Sequence, residues 1–316
     1  MDEKTMKAIG VFIKEKRKQK SLTQKILAEM ASCNIRTLQR IEAGTVTTYL
    51  HNIYPILSIL NISHEEFDSM CYGKDIRMFY SDVERIWDMG LVKSYNVMSK
   101  MIVKLKEEYG ELDRPTIKQA MLLLEGAVLC DEAKDYSASL VAMFEALKLT
   151  TVGIISDKHV INYRKVGDRI FSLYEYRILR FIANLYALLD EPKKSFELDK
   201  AIATSLEKDT NNYGVQKRLM PVMYFSLSNG MIDDGDYANA LALTEKGLHF
   251  CYQTKEFKHL GNLLWNNGKA LYYLGNTDKA TTSFQESYNF FISKKEYDTA
   301  NHLQATARDK YNVILR

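Results

Sequence analysis

Apolar residues recur along the chain at intervals of three and four, the spacing of one face of a helix. From Ala8 to Lys20 the stripe is Ile9, Phe12 and Ile13, and Ser21-Leu22 interrupts it. Thr23 is a good N-cap for a second helix, TQKILAEMA, which would turn Ile26, Leu27 and Met30 inward. After Ser32-Cys33, Asn34 caps a third helix, IRTLQRIEAG, stopped by Gly44. Two short helices joined by a tight turn form a helix-turn-helix pattern. A fourth helix runs to about Asn61; Pro55 fits its first turn if Asn52 is the cap, and otherwise kinks it. Ser63 with Glu66 makes a capping box that opens a short fifth helix.

Beyond Cys71-Tyr72-Gly73-Lys74, long helical segments alternate with short turns. GMIDDGDYANALALTEKGL ends one helix, turns at Asp234-Gly235-Asp236 and opens the next at Tyr237; KALYYLGNTDKATTSFQESY does the same around Gly275-Asn276. Ala240 and Ala280 fall at equivalent places in these segments. Ser195 in NLYALLDEPKKSFELDKAI and Ser139 in VLCDEAKDYSASLVAMFEAL fall there too. A small residue lets two antiparallel helices cross closely. Gly268, Ala280 and Phe284 have spacings that fit a tetratricopeptide repeat, with a period longer than the usual ~34 residues. About five helix pairs fit residues 76–295, with a final helix near 296–314 capping the open end. The stretch 150–168 reads as an insertion. The predicted fold class is all-α: a five-helix helix-turn-helix domain over 1–70 and a linker over 71–76. A right-handed α-solenoid of degenerate tetratricopeptide-like helix pairs fills 77–316.

Composition agrees. Only 4 Pro and 15 Gly occur in 316 residues, too few for the many turns of an all-β chain. No apolar run approaches the ~18 residues of a membrane span, and the charged N-terminus lacks the apolar core of a signal peptide. Cys33, Cys71, Cys130 and Cys251 form no CxxC pair, which fits free thiols in the cytoplasm. No phosphate-binding glycine loop or HExxH is present, and the six histidines show no ligand spacing. An enzyme, a metal site and a cofactor are therefore not expected.

Charge singles out the N-terminus. Residues 1–44 hold ten Lys/Arg against five acids, whereas the whole chain is only +3. This suggests an anionic partner for that module, although a solvated lysine-rich helix would give the same balance. The five-helix segment resembles the lambda-repressor-like helix-turn-helix domain in Thr23-Gln24, Leu27-Ala28 and Leu38-x-Arg40-Ile41-Glu42-x-Gly44. It departs in having Thr45-Val46-Thr47-Thr48, with no proline, after Gly44. The resemblance implies that the start and outward face of the third helix enter the major groove. Arg36 and Arg40 then become the first base readers and Gln39 the next, since arginine pairs bidentately with guanine edges. Asn34 and Ile35, at the helix start, are counted among the DNA contacts; Ile35 can meet a thymine methyl or shield the helix end. Gln24 and Thr37, near helix N-termini, suit phosphates, and Lys14, Arg17 and Lys18 can add phosphate contacts.

The tetratricopeptide resemblance implies a concave groove lined by the first helix of each pair, at positions two, five and nine. Anchored on the small residues, these are Arg177, Arg180 and Asn184; then Val222, Phe225 and Asn229; then Asn262, Trp265 and Lys269. Asparagine both donates and accepts, so Asn184 and Asn229 can clamp an extended peptide backbone. Arg177 and Arg180 can hold a carboxylate. Phe225 and Trp265 fit apolar pockets or plain core.

The two modules together are similar to the Rgg/PlcR-type peptide-pheromone receptors of Gram-positive bacteria (the RRNPP superfamily). The resembling stretches are Asn34 to Gly44, Ile62 to Phe67, and FIANLYALLDEPKKSFELDKA over 181–201. That resemblance implies a homodimeric quorum-sensing transcriptional regulator that binds operator DNA through two half-sites. Its repeat domain would bind a re-imported signalling peptide, with Asn184 at a peptide-backbone contact. Ser226 stands where a second asparagine is expected, with Asn229 one turn on. The alternative is a helix-turn-helix regulator whose repeats bind a protein or only dimerise.

Overall fold

The fold follows from helices that cross closely wherever a residue is too small to keep them apart. A computed structural model describes residues 3–45, 53–72, 75–91, 95–111, 114–151, 153–156, 159–208 and 213–316. Asn52, Val46 to Thr48, and Gly73-Lys74 of the expected linker lie outside the described residues. The fold is all-α, with 17 helices among the described residues. The chain divides into two compact units, Met1–Asn211 and Asn212–Arg316.

The first unit opens with α1 (Glu3–Gln19), α2 (Gln24–Met30), α3 (Ile35–Glu42), α4 (Ile53–Ile59) and α5 (His64–Tyr72). Thr23 caps α2 by accepting from the Ile26 amide, and Asn34 caps α3 by accepting from the Arg36 amide. The Ser63 hydroxyl accepts from the Glu66 amide at the start of α5. Ile13, Leu27, Leu38, Ile56, Leu57 and Phe67 are fully buried in one core, each burial stabilising by roughly 1.5–3 kcal/mol. The expectation for α2 needs correcting: Leu27 and Ala28 are its buried residues, while Ile26 and Met30 are exposed. α1 crosses the end of α3 at Gly10, where a Cβ would stand 2.7 Å from the carbonyl oxygens of Ile41 and Glu42.

Helix pairs follow. In the first unit they are α6 (Asp75–Leu91) with α7 (Tyr95–Tyr109), α8 (Pro115–Asp131) with α9 (Tyr136–Lys148), and α11 (Leu173–Leu188) with α12 (Pro192–Lys208). The 150–168 stretch carries a bridge pair, Ile155 with Ile161, and the short helix α10 (Tyr163–Gly167) packed on α12. The second unit pairs α13 (Tyr213–Asp233) with α14 (Tyr237–Thr254) and α15 (Leu260–Tyr273) with α16 (Thr277–Ser293). α17 (Tyr297–Tyr311) closes it, and the chain end folds back to bury Val313 and Leu315 beside Phe284 and Tyr311.

The repeat is written in its turns. Lys134, Asp190, Gly235, Gly275 and Lys295 all have positive φ, from 56° to 81°, and each sits one residue before the cap of the next helix. Four residues after each cap carbonyl comes Ser139, Ser195, Ala240, Ala280 or Ala300, whose amide bonds back to that carbonyl. Ser139, Ala240, Ala280 and Ala300 are wholly buried, and Ser195 is half-buried. Glycine enters the left-handed region freely, whereas a Cβ costs about 1 kcal/mol there. Lys295→Gly is therefore expected to raise stability by about 0.5–1 kcal/mol. A thermal melt of the full chain with an unchanged or lowered midpoint would contradict this.

Candidate nucleic-acid interface and repeat helices

α3 has two faces with different tasks. Leu38 and Ile41 point into the core, while Arg36, Gln39 and Arg40 are exposed together on the outer side. Ile35 is 39% exposed at the start of the helix, and Thr37 is half-buried. The Asn34 side chain is already engaged in capping, at 2.8 Å from the Arg36 amide. Lys14 and Lys18 are exposed on α1.

Arg17 lies elsewhere than a phosphate contact requires. It is 8% exposed; its Nε and Nη2 donate to Glu42 at 2.5 and 2.9 Å, and its Nη1 donates to the Leu22 carbonyl. Gln24, half-buried, donates to the same Glu42 carboxylate at 2.8 Å. Glu42 therefore ties α1 and α2 to the last turn of α3. Burial pushes the Glu42 carboxyl toward protonation, but the hydrogen bonds from Arg17 and Gln24 outweigh it and hold the pKa below the ordinary range. The bond to Glu42 likewise raises Arg17, against desolvation. A buried bidentate pair of this kind fixes geometry more surely than it adds stability.

In the first unit the expected peptide-facing residues of α11 meet charges from their own chain. The Arg177 guanidinium pairs bidentately with Glu84 of α6, at 2.5 and 2.8 Å. It also lies over the rings of Trp87 and Tyr174, 5.5 Å from each centroid. The Tyr174 hydroxyl donates to the same carboxylate at 2.9 Å. Arg180 stands 3.5 Å from the buried Asp199 of α12. Asn184, one turn further along, is exposed.

In the second unit two of the expected residues meet directly. Lys269 Nζ on α15 donates to Asn229 Oδ1 on α13 at 3.0 Å, and Asn229 Nδ2 donates to Asp233 at 3.1 Å. Burial pulls the Lys269 pKa down, Asp233 opposes that, and the charge of Lys310 lowers it further. Trp265 is half-buried against Phe284, with ring centroids 4.6 Å apart, and against Tyr311. Asn262 and Phe225 are half-buried, and the Phe225 carbonyl accepts from Asn266. Sequence reading missed Glu84, Trp87, Tyr174 and Asp233. Glu84 and Arg177 stand 93 residues apart, so no local spacing links them.

A family model described as the RNPP family C-terminal domain matches residues 133–311. The chain belongs to the RNPP family. A helix-turn-helix model matches residues 13–67 of the same RNPP chain. No individually curated protein matches it. Among solved structures it is similar to PlcR of Bacillus thuringiensis in complex with the peptide PapR7 and DNA. That match has 20% identity, spans 94% of this chain and 99% of that one, and has a TM-score of 0.61. Apo PlcR matches at 18% identity, with 94% and 98% covered and a TM-score of 0.58. ComR from S. thermophilus, in complex with DNA and its signalling peptide ComS, matches at 16% identity. There 94% and 97% are covered, with a TM-score of 0.52. These likenesses establish the RNPP fold. No helix among the described residues is long and apolar enough to cross a membrane.

The depressed pKa of Glu42 has a pH signature. Its contribution is complete above the unfolded carboxyl value of about 4.3 and is lost as pH falls through the lower folded value. Glu42→Gln is expected to destabilise α1–α3 by about 3 kcal/mol near neutrality, and the deficit should shrink in acid. Hydrogen exchange of the α1–α3 amides in the full chain checks both; a deficit independent of pH would contradict the assignment.

Proposed function

We propose that this RNPP-family chain is a cytoplasmic, homodimeric transcriptional regulator. It reads operator DNA with α3 and binds a short signalling peptide in its repeat helices. The observation that carries the reading is one chain joining an exposed Arg36–Gln39–Arg40 face to an RNPP C-terminal domain. PlcR and ComR, which share the fold, are solved with both a peptide and DNA.

Arg36 and Arg40 are the base readers, each good bidentate pair contributing roughly 1–3 kcal/mol of discrimination. Gln39 and Ile35 read beside them; Thr37, Lys14 and Lys18 meet phosphates. Gln24 and Arg17 act indirectly, by holding Glu42 and so the angle of α3. Two recognition helices of a dimer would reach half-sites about one turn apart, ~34–36 Å. In the repeats, Asn184 and Asn229 are the backbone clamps, and Asn262, Phe225 and Trp265 line the bound side chains. Lys269, Arg177 and Arg180 offer positive charge, each partly answered by its own chain. A peptide that fits one dimer geometry better shifts the population toward it, and DNA affinity follows.

The cysteines fit a reducing cytoplasm. All four are free, and burial pushes the Cys130 and Cys251 thiols up to about 11 and Cys71 to about 12. Such thiols stay protonated and unreactive near neutrality. No catalytic step belongs to this reading.

A gel-shift titration on DNA flanking the protein's own gene tests the reading, with and without the small-peptide fraction of spent medium. The expected result is a specific shift that the fraction alters and that Arg36→Ala with Arg40→Ala weakens at least tenfold. A specific shift indifferent to the fraction would favour a protein partner or dimerisation alone. Normal binding by the double variant would remove α3 from its role.

A further inference from the structure

The five N-terminal helices have a core of their own. Among the described residues its buried members run from Ile9 to Phe67, with Cys71 packed against them. Between these helices and the rest of the first unit lies a small cavity. Met30, Pro55 and Ile59 line one side of it, and Thr150, Arg169 and Phe171 the other.

One buried carboxylate crosses that junction. Asp68, on α5, is 2% exposed and accepts a hydrogen bond from the Tyr80 hydroxyl of α6. It also accepts from Thr116 Oγ1 in the first turn of α8, at 2.7 Å. Tyr80 and Thr116 are equally buried. Two hydroxyl donors from two helices, meeting one carboxylate at the positive end of α8, restrict both distance and direction. α6 is fixed in turn: the Tyr80 ring lies 5.8 Å from that of Tyr174, and Glu84 is held by Tyr174 and Arg177. A run of directional contacts thus leads from the last helix of the DNA-reading domain to α11.

We propose that Asp68 is a positioning residue that selects the spacing between operator half-sites. It does so by locking the helix-turn-helix domain to the repeat helices at one angle. This rests on the reading of the chain as a dimeric DNA-binding regulator. In a dimer each recognition helix is placed by its own attachment to the body. One added base pair moves a half-site by about 3.4 Å and turns it about the axis. A rigid attachment rejects that change; a hinged one follows it. Asp68 touches no DNA in this account, so its removal should alter spacing preference and leave the half-site sequence as it was.

The test is selection from a randomised duplex pool by the full-length protein, with and without the small-peptide fraction of spent medium, followed by sequencing. Wild type and Asp68→Asn, which keeps an acceptor for both hydroxyls, should enrich one half-site motif at a single dominant spacing. Asp68→Ala should enrich the same motif over a spread of spacings. Its affinity for the wild-type-spaced duplex should fall about tenfold, while that for an isolated half-site stays unchanged. A merely structural loss would weaken both duplexes alike. If Asp68→Ala fails to fold by circular dichroism, Tyr80→Phe with Thr116→Val takes its place under the same two outcomes. A single sharp spacing retained by the variant overturns the proposal, as does a wild type that enriches half-sites with no preferred spacing. A wild type that enriches no motif overturns the DNA-binding reading itself and this inference with it.

Discussion

Close crossing of helices at residues too small to hold them apart is the constraint on which the rest of the structure depends. Gly10 lets α1 lie on the end of α3, and Ser139, Ala240, Ala280 and Ala300 let successive helices of the body meet. With so little proline and glycine, the chain turns through one repeated device, a left-handed residue just before a helix cap. Where that residue is Lys134, Asp190 or Lys295, the turn is kept at a local cost because the packing on both sides requires it.

Some charge is buried to hold helices together and some is left exposed. Arg17 and Glu42 are buried together and set the angle of α3, while Arg36 and Arg40, on the outer face, stay exposed. The repeats divide their charges in a similar way. Arg177 and Arg180 are paired with Glu84 and Asp199, and Lys269 rests on Asn229. In the function proposed, a ligand carboxylate would compete with those internal partners. Occupation of these residues would then be a rearrangement of the protein as well as a binding event.

Much of the fold was legible because its signals are local. The caps Thr23 and Asn34, the stop at Gly44, and the recurrence of Ala240 and Ala280 act within a few residues of themselves. What sequence reading missed is non-local. Nothing near Arg17 announces Glu42, 25 residues on, and nothing near Arg177 announces Glu84. The burial of Arg17 defeats a rule that assigns basic residues in a basic module to the surface. Ile26 and Met30 fail the helical-face rule for a related reason: in a helix of seven residues, Leu27 and Ala28 alone fill the contact with the core.

In the function proposed, a bound peptide and bound DNA are felt by one another through a single protein. Binding free energies of two ligands on one protein are coupled reciprocally. The most direct measurement is the affinity of the full-length protein for the active peptide, by fluorescence anisotropy, in the absence and presence of saturating operator duplex. The expected change is about 5–150-fold, the usual range for coupled sites, equal to the change the peptide makes in DNA affinity. A peptide affinity that the operator leaves unchanged would contradict it.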